Sequence, residues 1–196
     1  RENLMVIRDF LTDVLHITDD TVVQEFLNLA EVRHVNKEDL LFREGEEPTQ
    51  LVFIWDGIFR GFFADFDGKD ITDCFCWKFG EPLVPSLPLD AKANISMEAL
   101  HDGQILCFPI APVVDLLERD ISMVKLYNTL LLESLRNHVT IKKMLYQYTA
   151  EQKYEWFLRE YPGLDGTISS KYIASFLGVT QVTLSRSRSK FREKER

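Results

Sequence analysis

Three cysteines in 196 residues, at 74, 76 and 107, are too few and too scattered for a disulfide framework. They suit a reducing cytoplasm. Cys74 and Cys76 form a C-x-C within an aromatic stretch; on a strand they share one face, as small buried apolar residues do. No C-x-x-C and no second pair completes a zinc site. The four histidines, at 16, 34, 101 and 138, form neither H-x-H nor H-E-x-x-H. The metal-enzyme patterns of zincins, and of roll enzymes of the cupin type, are therefore missing, and we expect no enzyme and no cofactor. No apolar run approaches the roughly 18 residues of a membrane span, and no basic-then-apolar leader opens the chain. The start on Arg1 rather than Met predicts that residues precede it.

Positive charge is also scarce. Lys and Arg number 23 against 31 Asp and Glu, a net charge of −8 that taken whole speaks against a polyanionic partner. The distribution is uneven. Residues 1–146 carry fourteen basic and twenty-five acidic residues, −11, and residues 147–196 carry nine and six, +3. From 166 to 192 there are five basic residues and no acid.

What is present falls into three textures. In residues 1–30, Leu4, Ile7, Leu11 and Leu15, then Val22, Val23, Phe26 and Leu27, recur at helical spacing, with Asp19 and Asp20 placed to cap the second of two short helices. Residues 31–110 read as strands at 32–35, 40–42, 51–55, 58–66, 71–77, 95–100 and 105–108. Asp56-Gly57, Asp67-Gly68 and Asp102-Gly103 suit the positive φ of tight hairpins. This is the texture of an antiparallel β-roll. After Pro112 the chain turns helical: a short helix at 113–118, then 121–146 without Gly or Pro. Val124, Leu131, Leu135 and Leu145 follow a 3-4 spacing there, interrupted by Asn128, His138 and Lys142. That helix is either a coiled-coil dimer contact or an amphipathic helix packed on its own domain. Segment boundaries are expected at 1–112, 113–146 and 147–196.

In the last segment Thr149 and Gln152 fit a capping box, and Tyr161-Pro162-Gly163 ends the helix they open. The stretch from Lys171 to Phe191 has the layout of a helix-turn-helix. Ala174 is small where two helices cross, Gly178 allows a left-handed turn, and Thr180 is an N-cap type residue. In this motif the second helix enters the DNA major groove. The basic charge, free of acids, lies on the same stretch, as a DNA reader requires.

With those residues in hand, nearly the whole chain resembles the CRP/FNR superfamily of bacterial transcription regulators. Phe42-Arg43-Glu44-Gly45 with Leu51–Gly57 is similar to the family's glycine-punctuated strands, Phe79-Gly80-Glu81 to the opening of its phosphate-binding cassette, and 171–191 to its recognition unit. The resemblance implies an α+β fold: a cyclic-nucleotide-binding-like roll with flanking helices, a long dimerisation helix and a C-terminal helix-turn-helix. It implies a cytoplasmic homodimer on double-stranded DNA, in contact with RNA polymerase and switched by an effector in the roll. Thr180, Gln181, Ser185 and Arg186 match the family's DNA-contacting positions, with Arg186 placed for bidentate contact with guanine. Lys171, Arg188 and Lys190 suit phosphate contacts or stand as solvated charges. Val182 stands where many members carry an acidic base reader. The expected effector pocket comprises Gly80, Glu81, Lys92 and Asn94.

The cassette departs from the cyclic-nucleotide binders. Residues 80–94 hold no Arg, and three prolines remove backbone N–H donors. Lys92 supplies a point charge where the family has a fork. The reading is therefore a regulator with an unidentified effector other than cyclic AMP. The alternative is a ligand-sensing module acting through a protein partner. A wing after the recognition helix is expected to be short or to lie outside this sequence.

Overall fold

The structure, a computed structural model, describes residues 2–194. These divide into two compact units, one running to Phe63 and including Phe75–Leu131, the other comprising Ala64–Cys74 and the chain from Leu132. The expected segments end instead at 112 and 146, at the ends of sequence textures.

In the first unit, α1 (Glu2–Asp9) runs into a π-helical turn, Phe10–Val14, and α2 spans Asp20–Leu29. Asp19 caps α2 by accepting from the N–H groups of Thr21 and Val22 at 2.8 and 3.3 Å. Two four-stranded antiparallel sheets follow. One has the order β1-β8-β3-β6, with β1 Glu31–Val35, β3 Gln50–Asp56, β6 Pro82–Leu83 and β8 Gly103–Pro109. The other has the order β2-β7-β4-β5, with β2 Leu40–Phe42, β4 Phe59–Ala64, β5 Asp70–Cys76 and β7 Ser96–Ala99. Seven of these are the expected strands. β6 is an addition: it lies in the proline-bearing stretch read as loop, with Phe53 opposite Pro82. Pro82 occupies an edge position, where a missing N–H is tolerated. β4 ends at Ala64, two residues early, because Asp65 turns the chain by accepting from the N–H groups of Asp67 and Lys69.

Gly57 and Gly68 take the expected positive φ, 113° and 75°. Gly103 does not. Its constraint is close approach: a Cβ there would stand 2.3 Å from the Asp56 carbonyl oxygen. α3 (Ile110–Arg119) begins before Pro112, which sits inside the first turn, where no N–H is needed. The core joins both N-terminal helices and α3 to the β3–β8 pair. Phe10 meets Phe53 edge-on at 5.3 Å, and Phe26 meets Phe108 at 5.1 Å.

α4 spans Ile121–Gln147. Among its apolar side chains Met123, Ile141 and Met144 are buried, whereas Ile121, Leu132, Leu135, Val139 and Tyr146 are exposed.

In the second unit, Thr149 and Gln152 form the expected capping box at the start of α5 (Ala150–Glu160). α6 is Ser170–Leu177 and α7 is Gln181–Lys194. Trp156, Phe157, Tyr161 and Phe176 are buried together, with Phe157 stacked on Tyr161 at 5.1 Å. The hairpin tip joins this unit through the Thr72 N–H, which donates to Ser175 Oγ at 2.9 Å. Among the described residues no helix is long and apolar enough to cross a membrane, and no three His, Cys, Asp or Glu are grouped to hold a metal.

Candidate nucleic-acid interface

The helix-turn-helix is built by local chemistry. Ser169 opens α6 by accepting from the Lys171 N–H at 3.3 Å. Ala174 is buried at 2% exposure, small enough for close helix contact. Gly178 ends α6 with φ +63°, and its N–H bonds back to the carbonyls of Ala174 and Ser175. Thr180 Oγ1 then accepts from the Thr183 N–H at 3.1 Å and caps α7.

α7 presents two faces. Leu184 and Ser187 point inward, and Phe191 meets Tyr154 at 5.9 Å. Gln181, Val182, Ser185, Arg186 and Ser189 are exposed and share one side at helical spacing. Val182, 61% exposed, puts an apolar group among them, suited to a thymine methyl and unable to accept a hydrogen bond.

The five basic residues of 166–192 separate into two sets. Arg188 is tied down: Nε donates to Asp165 Oδ1 at 3.1 Å, Nη2 pairs with the same oxygen, and Nη1 donates to Ser170 Oγ at 2.6 Å. The Tyr154 hydroxyl donates to the other oxygen of Asp165 at 2.7 Å. Burial and the Asp165 carboxylate push the Tyr154 phenol up to about 12. Lys190 pairs with Glu151 on the surface. Lys171, Arg186 and Arg192 are exposed and make no ion pair among the described residues. The sequence reading placed Arg188 and Lys190 toward phosphates or solvent; both ammonium and guanidinium groups face carboxylates of their own chain here.

Of the residues expected to hold an effector, Gly80 is bonded to β3, Glu81 is bonded within its own turn, and Lys92 and Asn94 are exposed. Gly80 donates its N–H to the Ile54 carbonyl at 2.7 Å, and its φ is +75°. A Cβ there would stand 2.8 Å from a ring carbon of Phe10. Glu81 Oε2 accepts from the N–H groups of Trp77 and Lys78 at 3.1 and 3.2 Å. Burial pushes its carboxyl upward against those two bonds, and the cation beside it is Lys78, not Lys92. Lys92 and Asn94 are exposed. The N–H groups of Ala91, Ala93 and Asn94 donate to the carbonyls of Pro88, Glu46 and Pro85 at 2.8–3.0 Å. Ser86 Oγ donates within the same loop, to the carbonyls of Pro88 and Ala91.

No family model and no curated protein sequence matches the chain. Solved structures do match. FixK2 from Bradyrhizobium japonicum superposes with a TM-score of 0.74 at 18% identity, covering 85% of this chain and 86% of its own. A protein assigned to the transcriptional regulators of the crp/fnr family, from Eubacterium rectale, gives 0.73 at 14%, covering 90% and 84%. The c-di-GMP responsive global regulator CLP of Xanthomonas campestris gives 0.69 at 12%, covering 90% and 93%. The chain has the fold of these regulators, as its roll and helix-turn-helix had led us to expect.

Proposed function

We propose that this chain is a sequence-specific, double-stranded-DNA-binding transcription regulator of the CRP/FNR type. It acts as a homodimer through α4, with α7 as the reading helix. The observation that carries this is the outward face of α7. Gln181, Ser185 and the exposed Arg186 stand there beside a capped, well-anchored helix start, with no acidic side chain from 166 to 192 to oppose a phosphate backbone. The exposed seam Leu132-Leu135-Val139-Tyr146 supports the dimer.

The effector is a molecule other than cyclic AMP. A cyclic phosphate needs a guanidinium fork and free backbone N–H groups. The stretch 80–94 contains no Arg, and the amides of Ala91, Ala93 and Asn94 already have carbonyl partners within the loop and its neighbours. Contact with RNA polymerase belongs to the same reading.

Mobility shifts with duplexes from the gene's own promoter region, over a salt series, test the proposal. Specific binding that weakens steeply with salt supports it. Retention of no duplex above background at low salt sinks it, and leaves the protein-partner reading, in which truncation before Thr149 is harmless.

A further inference from the structure

Lys153 lies in α5 on the apolar side that carries Trp156 and Phe157, and it is the one buried lysine among the described residues, at 9% exposure. Its ammonium has no carboxylate and no hydrogen-bond acceptor among them. No side-chain nitrogen in the described structure is both sealed from water and unbonded, so Nζ reaches the surface while the stem is covered. It emerges at the turn of the helix-turn-helix: Nζ stands 3.9 Å from where a Cβ on Gly178 would be, and Gly178 is exposed.

That turn leads directly into α7. Thr180 Oγ1 satisfies the Thr183 N–H and the Thr180 carbonyl satisfies that of Leu184, but the N–H groups of Gln181 and Val182 have no acceptor among the described residues. A helix start with two free donors attracts an anion. A lysine retained only for packing and helix polarity would turn to the carbonyls that end α6. Lys153 bonds to none of them, and the Gly178 and Val179 N–H groups occupy those of Ala174 and Ser175.

We propose that Lys153 holds a phosphate of the DNA backbone beside the N-terminus of α7, fixing the depth at which the reading helix sits without reading sequence. This rests on the DNA-binding reading above. Gly178 is required there for its left-handed φ, and the ammonium of Lys153 lies beside it.

The test compares full-length wild type, Lys153→Met and Lys153→Arg on specific and unrelated duplexes across a salt series. Loss of one phosphate contact lowers the slope of log K against log salt by about 0.9, so the deficit of the Met variant shrinks about threefold between 50 and 200 mM. It should be the same on both duplexes, and Arg should restore the slope. An unchanged slope for Lys153→Met, with wild type binding normally, overturns the proposal and leaves DNA binding intact. Binding of no duplex by wild type removes both. Should the Met variant fail to fold, acylation of wild-type lysines with and without duplex decides: protection of Lys153 supports the contact, and equal labelling overturns it.

Discussion

Arg188 and Asp165 form a half-buried ion pair that anchors α7 to the loop preceding α6, while Arg186, two residues earlier on the same helix, has no partner among the described residues. Two arginines in one basic run therefore do different work. Replacing Arg188 by Ala strands a carboxylate that also accepts from Tyr154. For a pair at 18% and 21% exposure we expect a loss of about 2 kcal/mol, or roughly 8–16 °C in the melting of the C-terminal unit. Arg186→Ala should leave melting unchanged within about 0.5 kcal/mol and relax base preference at one position of the site. Paired thermal melts and binding-site selection separate the two; equal melting temperatures for the variants would show that the ion pair contributes nothing.

The same cluster gives a pH signature. The Tyr154 phenol is raised from about 10 to about 12, chiefly by burial and then by its bond to Asp165. A raised folded value means that the folded state keeps its proton longer than the unfolded chain does. The contribution is complete below pH 10 and is lost as pH climbs from about 10 to about 12. Tyr154→Phe should flatten that part of the stability curve. Denaturant melts at pH 9 and pH 11 check this, and a wild-type and variant pair that lose stability in parallel would contradict it.

Much of this was legible in the sequence because it rests on local chemistry. Asp19, Thr149, Gly178 and Thr180 act through their own neighbours, so residue type and spacing sufficed. What escaped depends on partners distant in the chain. Asp165 lies 23 residues before Arg188, and nothing in either position announces the pair. The one signal for Lys153 was a charge interrupting the apolar side of α5. Glu81 reads as a ligand contact by motif, whereas in the fold its carboxylate holds the turn at Trp77–Lys78. The strand pattern hid β6 because two residues with a proline carry too little periodicity.

Gly80 and Gly45 provide a controlled comparison. Both have positive φ, +75° and +84°, so Ala at either incurs about 1 kcal/mol of backbone strain. At Gly45 nothing lies within 4 Å of the new methyl, whereas at Gly80 it would press on the ring of buried Phe10 at 2.8 Å. We expect Gly80→Ala to cost about 1–3 kcal/mol more than Gly45→Ala, through displacement of Phe10 from its edge contacts with Phe53 and Trp55. Matched denaturation curves measure the difference, and equal midpoints would mean that the π-helical turn yields without resistance.

The seam on α4 differs from the one its sequence suggested, and the difference is testable. Val124, Leu131 and Leu145 are half-buried in the single chain, while Leu132, Leu135, Val139 and Tyr146 are 54%, 59%, 45% and 82% exposed. These four recur at intervals of 3, 4 and 7, the spacing of a two-stranded coiled coil. A two-fold axis would bury each leucine twice, and full burial of a leucine is worth about 1.5–3 kcal/mol. Leu132→Glu with Leu135→Glu should therefore raise the dimer dissociation constant by at least on the order of a hundredfold and replace attraction with repulsion across the axis. Asn137→Glu, exposed on the opposite side of the same helix, should change nothing. Sedimentation across a concentration series reads the outcome, and circular dichroism confirms that the helix persists. A double variant that still sediments as wild type would remove α4 as the dimer contact, and with it the two-fold symmetry expected of the DNA site.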